Sequence, residues 1–186
     1  MSMSIPLSHM QQGLLFHHLS GAPAGVDVEQ IVAELAHAVD PEALEQAWQR
    51  VAVRHAALRT TFSWDGLDTP QQRIGSTPQI SYRVEDWSDR DHAAGQFEAL
   101  VAQERLLGFD LAQGPLHRIV LVRFAEAEHR MLWTFPHIVL DGRSFGLLLR
   151  ELFAEYDAVV EGATSARPEA PSMETFLHWL AARDSS

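Results

Sequence analysis

Phe135-Pro136-His137-Ile138-Val139-Leu140-Asp141-Gly142-Arg143-Ser144 joins a dense apolar run to a segment with helical period, and the fold is read outward from it. Upstream, Leu116 to Phe124 and His129 to Phe135 are two apolar runs around a polar turn, the pattern of paired buried strands. Downstream, Phe145, Leu148, Leu149, Leu152, Phe153 and Tyr156 recur at helical spacing, which predicts a helix over Ser144 to Val160. The decapeptide is therefore a strand-to-helix junction, where a side chain can be presented into a cleft. His137 is the residue there suited to chemistry, because an imidazole of ordinary pKa, about 6.5, accepts or holds a proton near neutrality. Asp141 and Gly142 permit a sharp turn, and the amides opening the next helix carry partial positive charge that would favour an oxyanion near His137.

Further out, Ser8 with Gln11 three residues on forms a capping box for a first helix whose apolar face is read as Met10, Leu14 and Leu7. Gly21 to Gly25 is a loop. Val28 to His37 fits either strand or helix and is assigned as strand. Asp40-Pro41-Glu42 starts a helix, an N-cap carboxylate followed by proline in the first turn, with Leu44, Ala47, Trp48, Val51 and His55 on one face. Leu58 to Trp64 and Pro70 to Ile74 suggest a hairpin across Asp65-Gly66, and Ile80 to Val84 a further strand. Ser88 to Leu107 reads as a helix ended by Gly108, with Phe97, Leu100, Val101, Glu104 and Leu107 at helical spacing. Residues 161–172 read as a loop or linker and 173–182 as a terminal helix. Strands and helices are mixed without regular alternation, which predicts an α+β sandwich, a largely antiparallel mixed sheet covered by helices.

With 186 residues and 46% hydrophobic side chains, the chain is long enough to bury a core as a single unit. No apolar run approaches the roughly 20 residues that span a bilayer, so a cytoplasmic protein is expected. Absent cysteine excludes disulfides and thiolate chemistry within the chain. A net charge of -11, with no basic patch, argues against nucleic acid and anionic membrane as partners. A metal at His137 and Asp141 would need further ligands that the linear sequence does not designate. Gly142-Arg143-Ser144-Phe145-Gly146 also fits the Gly-x-Ser-x-Gly of a hydrolase nucleophile elbow, with Asp157 and His178 following in order. That elbow needs a parallel β-α-β frame, whereas paired strands precede Ser144 and few residues follow it.

Pro136-His137-Ile138-Val139-Leu140-Asp141-Gly142 is similar to the His-His-x-x-x-Asp-Gly motif of condensation domains of nonribosomal peptide synthetases and of chloramphenicol-acetyltransferase-like acyltransferases. Arg54-His55-Ala56-Ala57-Leu58-Arg59-Thr60-Thr61-Phe62 resembles the condensation family's Arg-His-Glu-x-Leu-Arg-Thr-x-Phe, and Ser8 to Phe16 its opening Ser-x-x-Gln helix. Phe176-Leu177-His178-Trp179-Leu180 resembles the aromatic segment that closes the family's first half. The four segments run in family order from about Ile5 to Leu180.

The resemblance implies a chloramphenicol-acetyltransferase-like fold, with residues 1–186 as the N-terminal subdomain and the C-terminal subdomain absent. It implies amide-bond formation between a donor acyl thioester and an acceptor amine, each carried on the phosphopantetheine of a partner carrier protein, with no cofactor or metal bound by this chain. His137 takes the place of the second motif histidine, usually assigned as general base toward the amine or as the group that positions it. Pro136 replaces the first histidine. Asp141 in such proteins is structural and pairs with an arginine from the C-terminal half, and Arg59 is the better candidate of the two arginines for supporting the site. An epimerisation domain, a trimeric acyltransferase and a degenerate module that only docks carrier proteins share parts of this pattern. On this reading the isolated half is expected to turn over little or not at all.

Overall fold

A computed structural model describes residues 3–163 together with Ala170, Thr175 and Trp179. The expected terminal helix over 173–182 lies, those last two residues apart, outside the described residues, as does most of the expected 161–172 loop. In chain order the elements are β1 (Met3–Pro6), α1 (His9–Leu19), β2 (Val28–Leu35), α2 (Pro41–Arg54), a 3-10 turn (Ala56–Arg59), β3 (Thr60–Ser63), β4 (Gln71–Ile74), β5 (Ser81–Asp86), α3 (Ala93–Leu106), β6 (Arg118–Ala125), β7 (Glu128–Pro136) and α4 (Ser144–Val160).

Two sheets form. The larger runs β2-β7-β6-β5 and the smaller β1-β4-β3. All pairings are antiparallel except β5 with β6, which α3 connects by the crossover that parallel strands require. The uniformly apolar runs of β6 and β7 have a direct cause, since both strands are buried on both faces. Ile119, Leu121, Met131, Trp133 and Phe135 point into the main core with Trp48 and Leu44 of α2 and Leu148 and Leu152 of α4. Val120, Val122 and Leu132, at the alternate positions, point the other way onto Phe97 and Leu100 of α3. This is the α+β arrangement of helices on a largely antiparallel mixed sheet.

The helices start where polar caps satisfy their first amides. Asp40 Oδ1 accepts from Glu42 N and Ala43 N at 2.9 and 3.1 Å, with Pro41 in the first turn. His55 closes α2 as its C-cap, half-buried rather than on the buried face. Its Nε2 and Arg54 Nε meet Glu151 of α4 at 2.7 and 3.0 Å, and Arg50 approaches Glu155 at 3.6 Å, so α2 and α4 are tied along their length. Glu104 of α3 is buried yet satisfied, bonded to Arg118 of β6 at 2.8 Å and Arg83 of β5 at 3.1 Å.

Two elements depart from expectation. α3 begins at Ala93 instead of Ser88, because Ser88 turns its N–H and hydroxyl back onto Asp86 Oδ1 and His92 adopts φ 56°. In α1 the Ser8 capping box forms and Leu7 and Leu14 face the core as expected, but Gln11 and Leu15 also turn inward while Met10 is 66% exposed. Gln11 is inward because a buried polar network receives it. Its amide exchanges hydrogen bonds with the amide of Gln72 on β4 at 3.3 and 3.1 Å and donates to the Ile138 carbonyl at 3.4 Å. Among the described residues, no helix is long and apolar enough to cross a membrane.

Candidate active site

β7 delivers the motif. It is a central strand, paired with β2 on one side and β6 on the other, and it ends at Pro136 opposite Val28. A proline here interrupts nothing. The next residue, His137, donates its N–H to the Asp27 carbonyl at 2.8 Å, which makes Val28 and Pro136 a non-hydrogen-bonded pair. On the other side the β6 register stops at Arg118 opposite Thr134. The N–H that proline lacks would have had no strand partner on either edge.

His137 then enters a turn closed by the Val139 N–H on the Pro136 carbonyl at 3.0 Å. Its ring lies half-buried, flanked by buried Ile138, Val139 and Leu140. Nδ1 sits 3.2 Å from the Leu140 carbonyl. A carbonyl only accepts, so Nδ1 carries the hydrogen and, in the neutral ring, Nε2 carries the lone pair. The imidazole is therefore oriented by its own turn with one basic nitrogen left over.

Asp141 is exposed and caps α4 from three residues before its first turn. Its Oδ1 accepts from Arg143 N at 3.0 Å, Ser144 N at 2.8 Å and Ser144 Oγ at 2.7 Å. The Ser144 hydroxyl, then the Ser144 amide, hold its pKa below the ordinary carboxylate value. This corrects the expectation that the opening amides of α4 are free for an oxyanion, since two of them already serve Asp141. Oδ2 receives none of these bonds. Gly142 is exposed with no positive φ, and a Cβ built on it meets nothing within 4 Å, so the local backbone does not demand glycine there.

Arg59 stands elsewhere. Its Nε donates to the Ala52 carbonyl at 2.9 Å and Nη1 to the Gly75 carbonyl, which binds the end of α2 to the end of β4. It lines a cavity of about 220 Å³ with Arg73, Thr77 and Pro115, and His137 is not on that wall. The hydrogen bonds of Arg59 therefore go to the backbone that joins α2, the 3-10 turn and β4, and none of them goes to the His137 turn.

The hydrolase pattern also dissolves. Ser144 Oγ donates to Asp141 inside a helix start, and Asp157 lies on the same helix 13 residues on, about 20 Å away at 1.5 Å per residue. Three other residues are linked to the turn that carries His137: Gln11 of the capping box, the α1 histidine His17, which reads from sequence as a solvated helix residue, and Asp27, which the sequence did not single out. Asp27 holds its amide, Gln11 holds the carbonyl of its neighbour Ile138, and His17 Nδ1 meets Asp27 Oδ1 at 2.8 Å. The sequence carried one faint signal for them, a pair of histidines ending α1 and an acid closing a glycine-bounded loop.

A family model described as Condensation domain matches residues 1–186. The chain is similar to one of the linear gramicidin synthase proteins of Brevibacillus parabrevis, 36% identical over 180 residues that make up 96% of this chain and 4% of that protein. It is similar to bacitracin synthase 1 of Bacillus licheniformis, 29% identical over 96% of this chain and 3% of that one. Among solved structures it resembles the starter condensation domain of rhizomide synthetase, with TM-score 0.88 and 26% identity over 99% of this chain and 46% of that chain. The first condensation domain of the calcium-dependent antibiotic synthetase shares the fold at TM-score 0.91 and 16% identity, again over 99% and 46%. The chain thus spans under half of each of these solved chains and a few per cent of each synthase.

Proposed function

Since this chain belongs to the condensation-domain family, we propose that it is one half of an amide-bond-forming active site in nonribosomal peptide synthesis, with His137 as the proton-handling residue. The observation that carries this is the His137 ring itself, half-buried just past the end of β7 and tied at Nδ1 to the Leu140 carbonyl, which leaves Nε2 outside that bond. The donor is an acyl thioester and the acceptor an amine, each tethered to the phosphopantetheine of a carrier protein. The amine nitrogen attacks the thioester carbonyl, the new C–N bond forms, and the C–S bond breaks. His137 Nε2 takes the amine proton and returns it to the leaving thiolate, so the histidine is regenerated and atoms balance.

Asp141 in this reading shapes the turn rather than touching substrate. Its Oδ1 holds the start of α4, and Oδ2, outside those bonds, would accept the arginine that the family supplies from its C-terminal half. Pro136 in place of the family's first histidine leaves the strand intact, which supports retention of activity over degeneration to a docking module.

The test uses the full-length protein that carries these residues, with donor and acceptor carrier proteins loaded. His137→Ala is expected to abolish amide product, and an unchanged yield would sink the assignment. A wild type without product that gains it on Pro136→His would identify a degenerate module instead.

A further inference from the structure

We propose that His17 and Asp27 form a clasp that positions His137, making both of them positioning residues for the condensation reaction. The inference rests on the reading of His137 as the proton-handling group. Its basis is the way α1 grips the motif turn on both sides of that residue. On one side Gln11 donates to the Ile138 carbonyl at 3.4 Å. On the other the grip is indirect, and its links are His17, Asp27 and the amide of His137.

Asp27 is the third residue of a tight turn, Gly25 to Val28, closed by the Val28 N–H on the Gly25 carbonyl at 3.3 Å. The bond from His137 N–H to the Asp27 carbonyl is the last rung of the β2–β7 ladder, one pair beyond Val28 and Pro136. End rungs beside loops open most easily unless something anchors them. Arg105 of α3 anchors the flanking residues, donating to the Gly25 and Val28 carbonyls at 3.3 and 2.6 Å. Asp27 itself is anchored through its carboxylate, with Oδ1 at 2.8 Å from His17 Nδ1 and Oδ2 at 3.8 Å from His18 Nδ1. A carboxylate only accepts, so His17 holds its hydrogen on Nδ1 and donates it in either charge state.

A carboxylate that bridges the end of α1 to the rung below His137 has a kinetic consequence. The reacting nitrogen must be held within about 0.5 Å of its productive position, and a displacement of about 1 Å costs up to roughly a hundredfold in rate. Loosening the rung would leave substrate binding intact and slow the chemical step.

The experiment measures kcat and KM for the acceptor carrier protein in the full-length protein. Asp27→Ala is expected to lower kcat about tenfold or more with KM unchanged. Asp27→Asn keeps an oxygen for the His17 Nδ1–H and is expected to recover most of that loss. His17→Ala, at a position more than half exposed, removes the donor without disturbing the core and is expected to follow Asp27→Ala. Wild-type kcat in Asp27→Ala, alongside an inactive His137→Ala, would overturn the clasp. So would a loss shared between kcat and KM that Asn does not recover, since that marks a general structural defect. Full activity in His137→Ala would instead remove the reading of the reaction on which the clasp depends.

Discussion

His117 and His137 stand at the ends of neighbouring strands of one sheet and are treated in opposite ways. His117, just before β6, is wholly buried beneath Trp48, with ring centroids 6.1 Å apart. Burial pushes its pKa down to about 4, opposed only in part by backbone groups of Gln79 and Leu58, so it is neutral across the physiological range. His137, just after β7, is half-buried, with one nitrogen held by a carbonyl of its own turn. The first is a packing residue that happens to be titratable. The second is only half-buried and is held by the carbonyl of its own turn. Burial separates the two roles, and the same contrast should divide the whole molecule into a core where changes cost stability and a rim where they cost activity.

The largest expected effect tests the core side. Trp48 is fully buried and meets Trp133 edge-on at 4.9 Å. Trp48→Ala should destabilise by about 3–5 kcal/mol in denaturant unfolding, as large-to-small changes in close-packed cores do. Trp48→Phe should cost far less, because the buried indole N–H has no hydrogen-bond partner among the described residues and its removal strands none of them. Equal losses in the two variants would break the packing account.

Next comes pH. The folded pKa of His117 lies below the unfolded value, so the unfolded chain binds the proton first as pH falls. The stability that depends on a neutral His117 is complete above pH 6.5 and drains away toward pH 4. With about 1.36 kcal/mol per pKa unit, the full loss is about 3 kcal/mol. Unfolding midpoints measured across that window check it, and His117→Phe should flatten the slope.

Asp141→Ala is a smaller test at the rim. Removing the carboxylate frees the Arg143 and Ser144 amides of α4, and N-cap losses of this kind cost about 1 kcal/mol. The sign with pH is opposite to that of His117. A carboxyl whose folded pKa is depressed contributes above its ordinary value and loses that contribution as pH falls through the folded one. Urea unfolding of Asp141→Ala should therefore converge on wild type in strong acid.

This division also explains what could be read from the amino acids. α2, α4 and the β6–β7 pair were legible because caps, periodicity and apolar runs are local signals, as Asp40-Pro41 and the spacing from Phe145 to Tyr156 illustrate. The motif was legible through resemblance. What escaped was long-range and polar. Gln11 looks like a solvent residue until Gln72, 61 positions away, turns out to face it. Asp27 and His17 are unremarkable until the ladder places Asp27 opposite His137. Arg59 lay inside a matching segment, and the sequence did not show that its guanidinium binds the Ala52 and Gly75 carbonyls. Sequence adjacency to a motif carries no distance.

The smallest stability effect belongs to Gly142, and it cuts the comparison most finely. Among the described residues, nothing lies within 4 Å of a Cβ at this position, and the backbone lies outside the left-handed region. Gly142→Ala should leave unfolding within about 0.5 kcal/mol of wild type, the range of changes that touch no special feature. If glycine is present for the sake of what passes over this turn, the C-terminal half or a tethered substrate, then condensation by the full-length protein should fall even though stability does not. Stability and product yield measured on that one variant separate the two causes. A stable and fully active Gly142→Ala would mean that the open space at this rim is left unused, and the division between a core kept for stability and a rim kept for chemistry would stop at His137.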